Sequence, residues 1–140
     1  MSDYSDLTRA MNIASSGLKA QSTRMRVIAE NMANAGSTGA SPEDVPYRRK
    51  LVTFETIKQG FEKAGGVQVD KVMQDKSDFG KEYNPGHPAA NEDGYVFTPN
   101  VNSLIEAMDM KEAQRSYEAN LRVIELSRGM LMRTLEVLRG

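Results

Sequence analysis

The chain has no cysteine and no tryptophan, and a single histidine among its 140 residues. Lack of cysteine excludes disulfides and thiol chemistry and removes the commonest zinc ligands. The one histidine, His87, lies in Asn84-Pro85-Gly86-His87-Pro88. There it reads as a turn or capping residue, not as part of a triad or a histidine-rich metal site. Four phenylalanines against nine methionines describe adaptable, helix-lined packing in place of a rigid aromatic core. Neither charge dominates, with 18 basic and 19 acidic residues and a net charge of −1. Nothing therefore directs the chain to nucleic acid or an anionic membrane. No apolar run approaches the ~18 residues of a membrane span. The start, Met1-Ser2-Asp3-Tyr4-Ser5-Asp6, is polar, and no apolar signal-peptide core follows it. Any destination outside the cytoplasm requires another export route.

What is present is helical periodicity at both ends. From Val101 to Gly140 the chain is free of proline. Positions Ala107, Met110, Gln114, Tyr117, Leu121, Ile124, Arg128, Leu131, Leu135 and Leu138 fall at alternating spacings of three and four, and all but Gln114 and Arg128 are apolar. That is a heptad seam. The other faces carry acid-before-base pairs such as Glu112–Arg115 and Glu118–Arg122. A helix from Ser103 to Leu138 would be roughly 54 Å long at ~1.5 Å per residue. A compact chain of this length has a diameter of roughly 37 Å. The seam therefore needs a partner helix, in this chain or on another copy.

The first segment, Asp3 to Met32, supplies a matching seam of Leu7, Met11, Ala14, Leu18, Gln21, Met25, Ile28 and Met32. Asp3 is placed to cap it. The two ends are expected to pair, antiparallel or parallel. Both also carry a flanking stripe of smaller residues: Ala10, Ile13, Gly17, Ala20 and Val27 on the first, Ala113, Ser116, Asn120, Val123, Ser127 and Met130 on the last. Small side chains permit close approach of further helices, so more than one neighbour is expected.

Between these ends the pattern changes. Asn34, Gly36, Gly39 and Pro42 punctuate a loop; the Asn31 and Asn34 amides are placed to satisfy carbonyls of the last helical turn, and Asn34 is suited to the left-handed conformation that stops a helix. Tyr47–Ile57 and Val67–Met73 read as strands, and Tyr95–Thr98 as a short one closed by Pro99. Phe79–Asp93 reads as a turn region. Ser103-x-x-Glu106 forms a capping box at the entry to the last helix, with Asn100 and Asn102 as alternative caps. The fold class is thus mainly α with a small β-rich insert. Residues 1–35 and 100–140 form a coiled-coil-like assembly domain, and residues 36–99 form the strand-and-loop insert.

No catalytic constellation is legible. Asp75, Asp78, Glu92 and Asp93 lack the spacing of a calcium loop, and Gly65-Gly66 lacks that of a phosphate loop. Arg48-Arg49-Lys50 reads as a solvated strand end or an ion-pairing patch. No cofactor, metal or small-molecule substrate is expected.

Several stretches match a known family. Asn31-Met32-Ala33-Asn34, continued by Ser37, Thr38 and Gly39, resembles the N-x-A-N-x-x-T-x-G signature of bacterial flagellar axial proteins, the rod and hook group. Pro46-Tyr47-Arg48-Arg49-Lys50 resembles the segment that follows in proximal rod members. Gly94-Tyr95-Val96, Pro99-Asn100-Val101-Asn102, Ser116-Tyr117-Glu118-Ala119-Asn120 and the Asn84-x-x-His87-Pro88 turn are similar to proximal rod sequences as well. The inserted Ala40–Pro46 departs from the general axial pattern and suits the proximal subgroup.

This resemblance implies a structural, self-assembling subunit of the basal-body rod, a hollow helical drive shaft that crosses the periplasm and transmits torque. It further implies passage through the flagellar type III export apparatus without a cleaved signal. The implied partners are other copies and other rod proteins, the basal-body membrane ring and the export apparatus. On that reading Leu7, Met11, Leu18, Met25, Ile28 and Met32 pair with Met110, Tyr117, Leu121, Ile124, Leu131, Leu135 and Leu138, with Asn31, Asn34 and Asn120 at the same interface. The alternative is a soluble helical adaptor or export-chaperone-like binding module. It differs by folding into a stable monomer with its helices already formed.

Overall fold

The computed structural model describes every residue except Met1 and Glu62. Its elements, in order, are α1 (Ser2–Ala33), β1 (Lys50–Thr56), β2 (Val67–Gln74), β3 (Gly80–Tyr83), β4 (Tyr95–Thr98) and α2 (Ser103–Arg139). Both long helices, and the strands read at 67–73 and 95–98, lie where the periodicity puts them. Two strand assignments change. The first strand begins at Lys50, not Tyr47, because the Tyr47, Arg48 and Arg49 side chains are drawn into polar contacts described below. β3 lies inside the presumed turn region. Its Gly-Lys-Glu-Tyr sequence is exposed throughout and has no apolar alternation, so only pairing with β4 reveals it. The register runs from Gly80 opposite Thr98 to Tyr83 opposite Tyr95, antiparallel. β1 and β2 form a second two-stranded sheet.

Helix ends also differ from expectation. Asn34 does not take the left-handed form, since no non-glycine residue has positive φ among the described residues. Its backbone N–H and its side-chain amide both donate to the Glu30 carbonyl, at 3.1 and 2.9 Å, which ends the helix without a left-handed turn. At α2 the cap is Asn102, whose Oδ1 accepts from the Leu104 and Ile105 N–H groups. Glu106 does not fold back as a capping box; its carboxylate is taken elsewhere. Asp3 lies within the first turn of α1, not ahead of it.

The chain divides into two compact units, each built from parts of both helices. The first comprises Met1–Met25, Thr53–Lys71 and Lys111–Gly140. In it α1 and α2 run antiparallel: Gly17 meets Asn120, and Arg24 reaches Glu112 at 3.5 Å. That cross-helix ion pair takes Glu112 away from Arg115. The other acid-before-base pairs along α2 do not close within 4 Å among the described residues, as expected for exposed charges in water. Ala14, Gly17 and Ala20 are buried from α1, Ala113 and Ser127 from α2. The tip of the β1–β2 hairpin turns through Gly60 and Gly65, both at positive φ, and Ser16 Oγ accepts from the Val67 N–H at 3.0 Å.

The second unit comprises Arg26–Val52 and Val72–Met110. It buries Val27, Ile28 and Asn31 of α1, Val96 of β4, Ala89, and Glu106 of α2. Alternation on β4 is clean, with Val96 inward and Tyr95 and Phe97 outward. A large part of what this small core holds is polar.

Candidate assembly site

Two features stand out: an ordered polar hub in the second unit, and a set of exposed apolar side chains along α2.

The hub starts from Asn31, which is 1 % exposed and uses its whole hydrogen-bonding capacity. Its Nδ2 donates to the Lys50 carbonyl at 2.9 Å and to Glu106 Oε2 at 3.3 Å. Its Oδ1 accepts from the Lys50 N–H at 2.9 Å and the Tyr47 hydroxyl at 2.8 Å. Glu106 is fully buried, and its other carboxylate oxygen is paired with Arg49 Nε. Arg49 also reaches Asp75 at 3.3 Å and Asp109 at 3.4 Å. Asn100 completes the hub. It accepts from the Arg49 N–H at 2.7 Å and donates to the Asp75 and Ser77 carbonyls. Arg48 donates to the same two carbonyls and stacks on Phe79 at 4.2 Å. The basic run is therefore an ion-pairing patch, not a solvated strand end.

Ionisation follows from this geometry. Burial opposes charge on Arg49, but hydrogen bonding and attraction to Glu106, then Asp75, more than offset it, and its pKa lies above the usual value. Burial first, then the nearby Glu30 and Glu106 charges, raise the Tyr47 pKa, so its hydroxyl stays a donor to Asn31. The Ser77 N–H, hydrogen-bonded to Asp75 Oδ1 at 2.9 Å, is the leading cause that holds the Asp75 carboxyl below its ordinary range. Arg49 adds to it. A depressed carboxylate pKa contributes stability that is complete above the unfolded value, near ~4, and is lost as pH falls through the folded value. Thermal unfolding followed from pH 7 to 2 is thus expected to show Asp75→Asn approaching wild-type stability at the acid end. A constant gap between the two down to pH 2 would mean that the Asp75 charge contributes nothing.

His87 takes the turn role read from sequence. Its Nδ1 accepts from the Ala89 N–H at 2.9 Å, so a neutral ring carries its proton on Nε2, 3.3 Å from Thr38 Oγ1. The residue ties the Asn84–Ala90 turn to the loop after α1.

The residues named as an interface fall into three groups. Ile28 and Asn31 are buried within the chain. Leu7, Met11, Leu18, Met25, Asn34, Met110, Tyr117, Asn120, Ile124 and Leu131 are partly covered. Met32, Leu121 (40 % exposed), Leu135 and Leu138 (79 %) are open. The buried residues on α2 are Glu106, Ala113 and Ser127, of which Ala113 and Ser127 belong to the smaller-residue stripe. Of the larger seam on α2, Leu121, Leu135 and Leu138 stay open, and the small stripe makes the close approach between the helices in the first unit. The reason is steric: opposite Gly17 there is room only for the Asn120 amide, and a longer side chain there would push the helices apart.

Sequence reasoning missed the partners that Asn31 gathers, namely Tyr47, Lys50 and Glu106, and the Arg49 and Asn100 contacts that extend the hub beyond them. It also missed exposed apolar residues outside the seam, including Leu104, Met108, Leu126, Met132 and Val137. The partners lie within the motifs quoted above, but motif spacing carries no information on who meets whom.

The chain thus has two long terminal helices with short strands between them in sequence, and its signature Asn31 is buried in the second unit. Residues 11–40 match the family described as flagella basal body rod protein, and residues 92–137 match the flagellar basal body rod FlgEFG protein C-terminal family. The chain is 50 % identical over 134 residues to the flagellar basal-body rod protein FlgC of Agrobacterium fabrum, covering 96 % of each. It is 39 % identical to FlgC of Bacillus subtilis, covering 91 % of this chain and 95 % of the relative, and 39 % identical to that of Salmonella typhimurium, covering 92 % and 96 %. The chain belongs to the FlgC family of flagellar basal-body rod proteins.

Proposed function

We propose that this chain is a non-catalytic structural subunit of the proximal flagellar rod, self-assembling with other copies and other rod proteins into a hollow helical shaft that transmits torque. It leaves the cytoplasm through the flagellar type III export apparatus without a cleaved signal and takes its place in the periplasmic space. At the base of the rod it meets the membrane ring and the export apparatus. Residues 1–35 and 100–140 serve as the assembly layer, and residues 36–99 as the outer insert.

The observation that carries this reading is the apolar surface of α2. Leu121, Leu126, Met130, Met132, Leu135, Val137 and Leu138 all stand at least two-fifths exposed along consecutive turns. A helix with so many large apolar side chains open to water is suited to burial by neighbours. Fully covering each leucine is worth about 1.5–3 kcal/mol. The fit of both termini to rod-family models supports the same direction.

Leu121→Asp and Leu126→Asp, made separately, test it. Both side chains are open in the free chain, so circular dichroism of the purified protein is expected to be unchanged. Swimming in soft agar and recovery of the subunit in isolated basal bodies are both expected to be lost. Wild-type motility in the two strains would remove the α2 surface from assembly.

A further inference from the structure

We infer that Asn31, on α1, and Asn100, on the segment that leads into α2, are positioning residues whose side-chain amides seat the base of the β1–β2 hairpin, so that they govern assembly without touching a neighbouring subunit. This inference rests on the rod reading above.

The base of the hairpin is not closed by its own ladder. The Asp75 N–H donates to the Arg49 carbonyl at 2.8 Å, which is half of an antiparallel rung. The returning half is missing. The Arg49 N–H goes to Asn100 Oδ1 at 2.7 Å, and the Asp75 carbonyl receives Asn100 Nδ2 at 2.9 Å. One amide is thus interposed between two strands, on the residue that leads into α2. One position further, Lys50 turns its N–H and carbonyl to the opposite edge of β1. Both are taken by Asn31, at 2.9 Å each. An amide on α1 therefore does for Lys50 what a third strand would do.

The consequence is mechanical. A two-stranded hairpin alone is marginal in water and has no fixed attitude. Two primary amides, each donating and accepting at the same strand base, fix position and rotation together. Carboxamides carry no charge, so the seat keeps its bonds as pH and salt change. A carboxylate could accept but not donate, and a hydroxyl is too short to bridge both backbone groups.

The test compares Asn31→Ala, Asn31→Asp and Asn100→Ala in the full chain. Amide hydrogen exchange of the monomer and subunit content of isolated basal bodies are read for each. In wild type the Lys50 amide, although on an outer edge, is expected to be protected. In Asn31→Ala it is expected to exchange at least about tenfold faster, while the Asp75 amide keeps its protection. Asn31→Asp keeps the acceptor for the Lys50 N–H, so that amide stays slow, yet loss of the bond to the Lys50 carbonyl and the new carboxylate against Glu106 lower incorporation. Asn100→Ala lets the Arg49 N–H and Asp75 carbonyl close their rung, so the Arg49 amide remains slow while the Asp75–Ser77 strand end loses its tie to the segment before α2 and incorporation falls. Normal incorporation of all three variants would overturn the positioning role and leave the rod reading intact. An unprotected Lys50 amide in wild type would overturn the clamp itself. Incorporation of Leu121→Asp at wild-type level would instead strike the rod reading, separately from either.

Discussion

Replacing Arg49 by methionine is expected to destabilise the folded chain by about 3–5 kcal/mol, a large share of the 5–15 kcal/mol typical of a small protein. The reason is Glu106. Its side chain is fully covered, and without the guanidinium it keeps only the Asn31 amide, at 3.3 Å. Asp75 and Asp109 lose their shared cation at the same time. A buried carboxylate left without its cation costs far more than the pair itself contributes. Adding Glu106→Gln to Arg49→Met removes the unpaired charge but keeps the shape and the acceptor for Asn31, and is expected to recover more than half of the loss. Urea unfolding followed by circular dichroism reads both. A single-mutant loss under about 1 kcal/mol would mean that water reaches Glu106 and that the hub is no true interior.

Gly17→Leu is expected to cost about 3 kcal/mol, the upper end of what overpacking does. A Cβ at Gly17 would lie 2.6 Å from Asn120 Nδ2 and 2.8 Å from its Cγ, so the two backbones approach as closely as an amide permits. The Asn120 amide is itself held by a 3.0 Å bond to the Ser116 carbonyl. Gly17→Ala should fall near zero by comparison. Its single methyl displaces the end of one flexible side chain, while alanine regains about 1 kcal/mol of helix propensity. Asn120→Ala made together with Gly17→Leu is expected to restore part of the loss, which a remote cause would not allow. If leucine is tolerated and alanine simply stabilises, the helices do not meet at this point.

Much of the architecture was legible before any coordinates. Two proline-free segments with heptad spacing give helices whose ends shift by only a residue or so in the structure. Strands rich in Val and aromatic residues appear where alternation puts them. β3 was not legible, because Gly80-Lys81-Glu82-Tyr83 has no pattern of its own and exists as a strand only by pairing with Tyr95–Thr98. The capping box at Ser103 was misread for a related reason. Glu106 fits that local motif, but the half-buried Arg49 offers its carboxylate more than a single backbone N–H does. Asn31 and Asn34 were singled out by their place in a signature. Asn34 does locally what was anticipated for a helix end, by a different backbone route, whereas Asn31 acts across the fold.

Periodicity, punctuation and composition act over a few residues, so the chain alone determined its helices, most of its strands, its lack of thiol chemistry and its family. It could not determine which stripe of each helix turns inward, since the large and small stripes share the same period. On α2 tertiary packing buried the small one, through Ala113 and Ser127, whereas α1 buries members of both, Ala14 and Ile28 beside Gly17, Ala20 and Val27. It also brought Asn31 to Glu106 and Arg49 to Asp109, partners far apart in sequence whose encounter no local rule encodes. Leu121, Leu126, Leu135 and Leu138 of α2 were left facing water, the exposure on which the proposed assembly role rests.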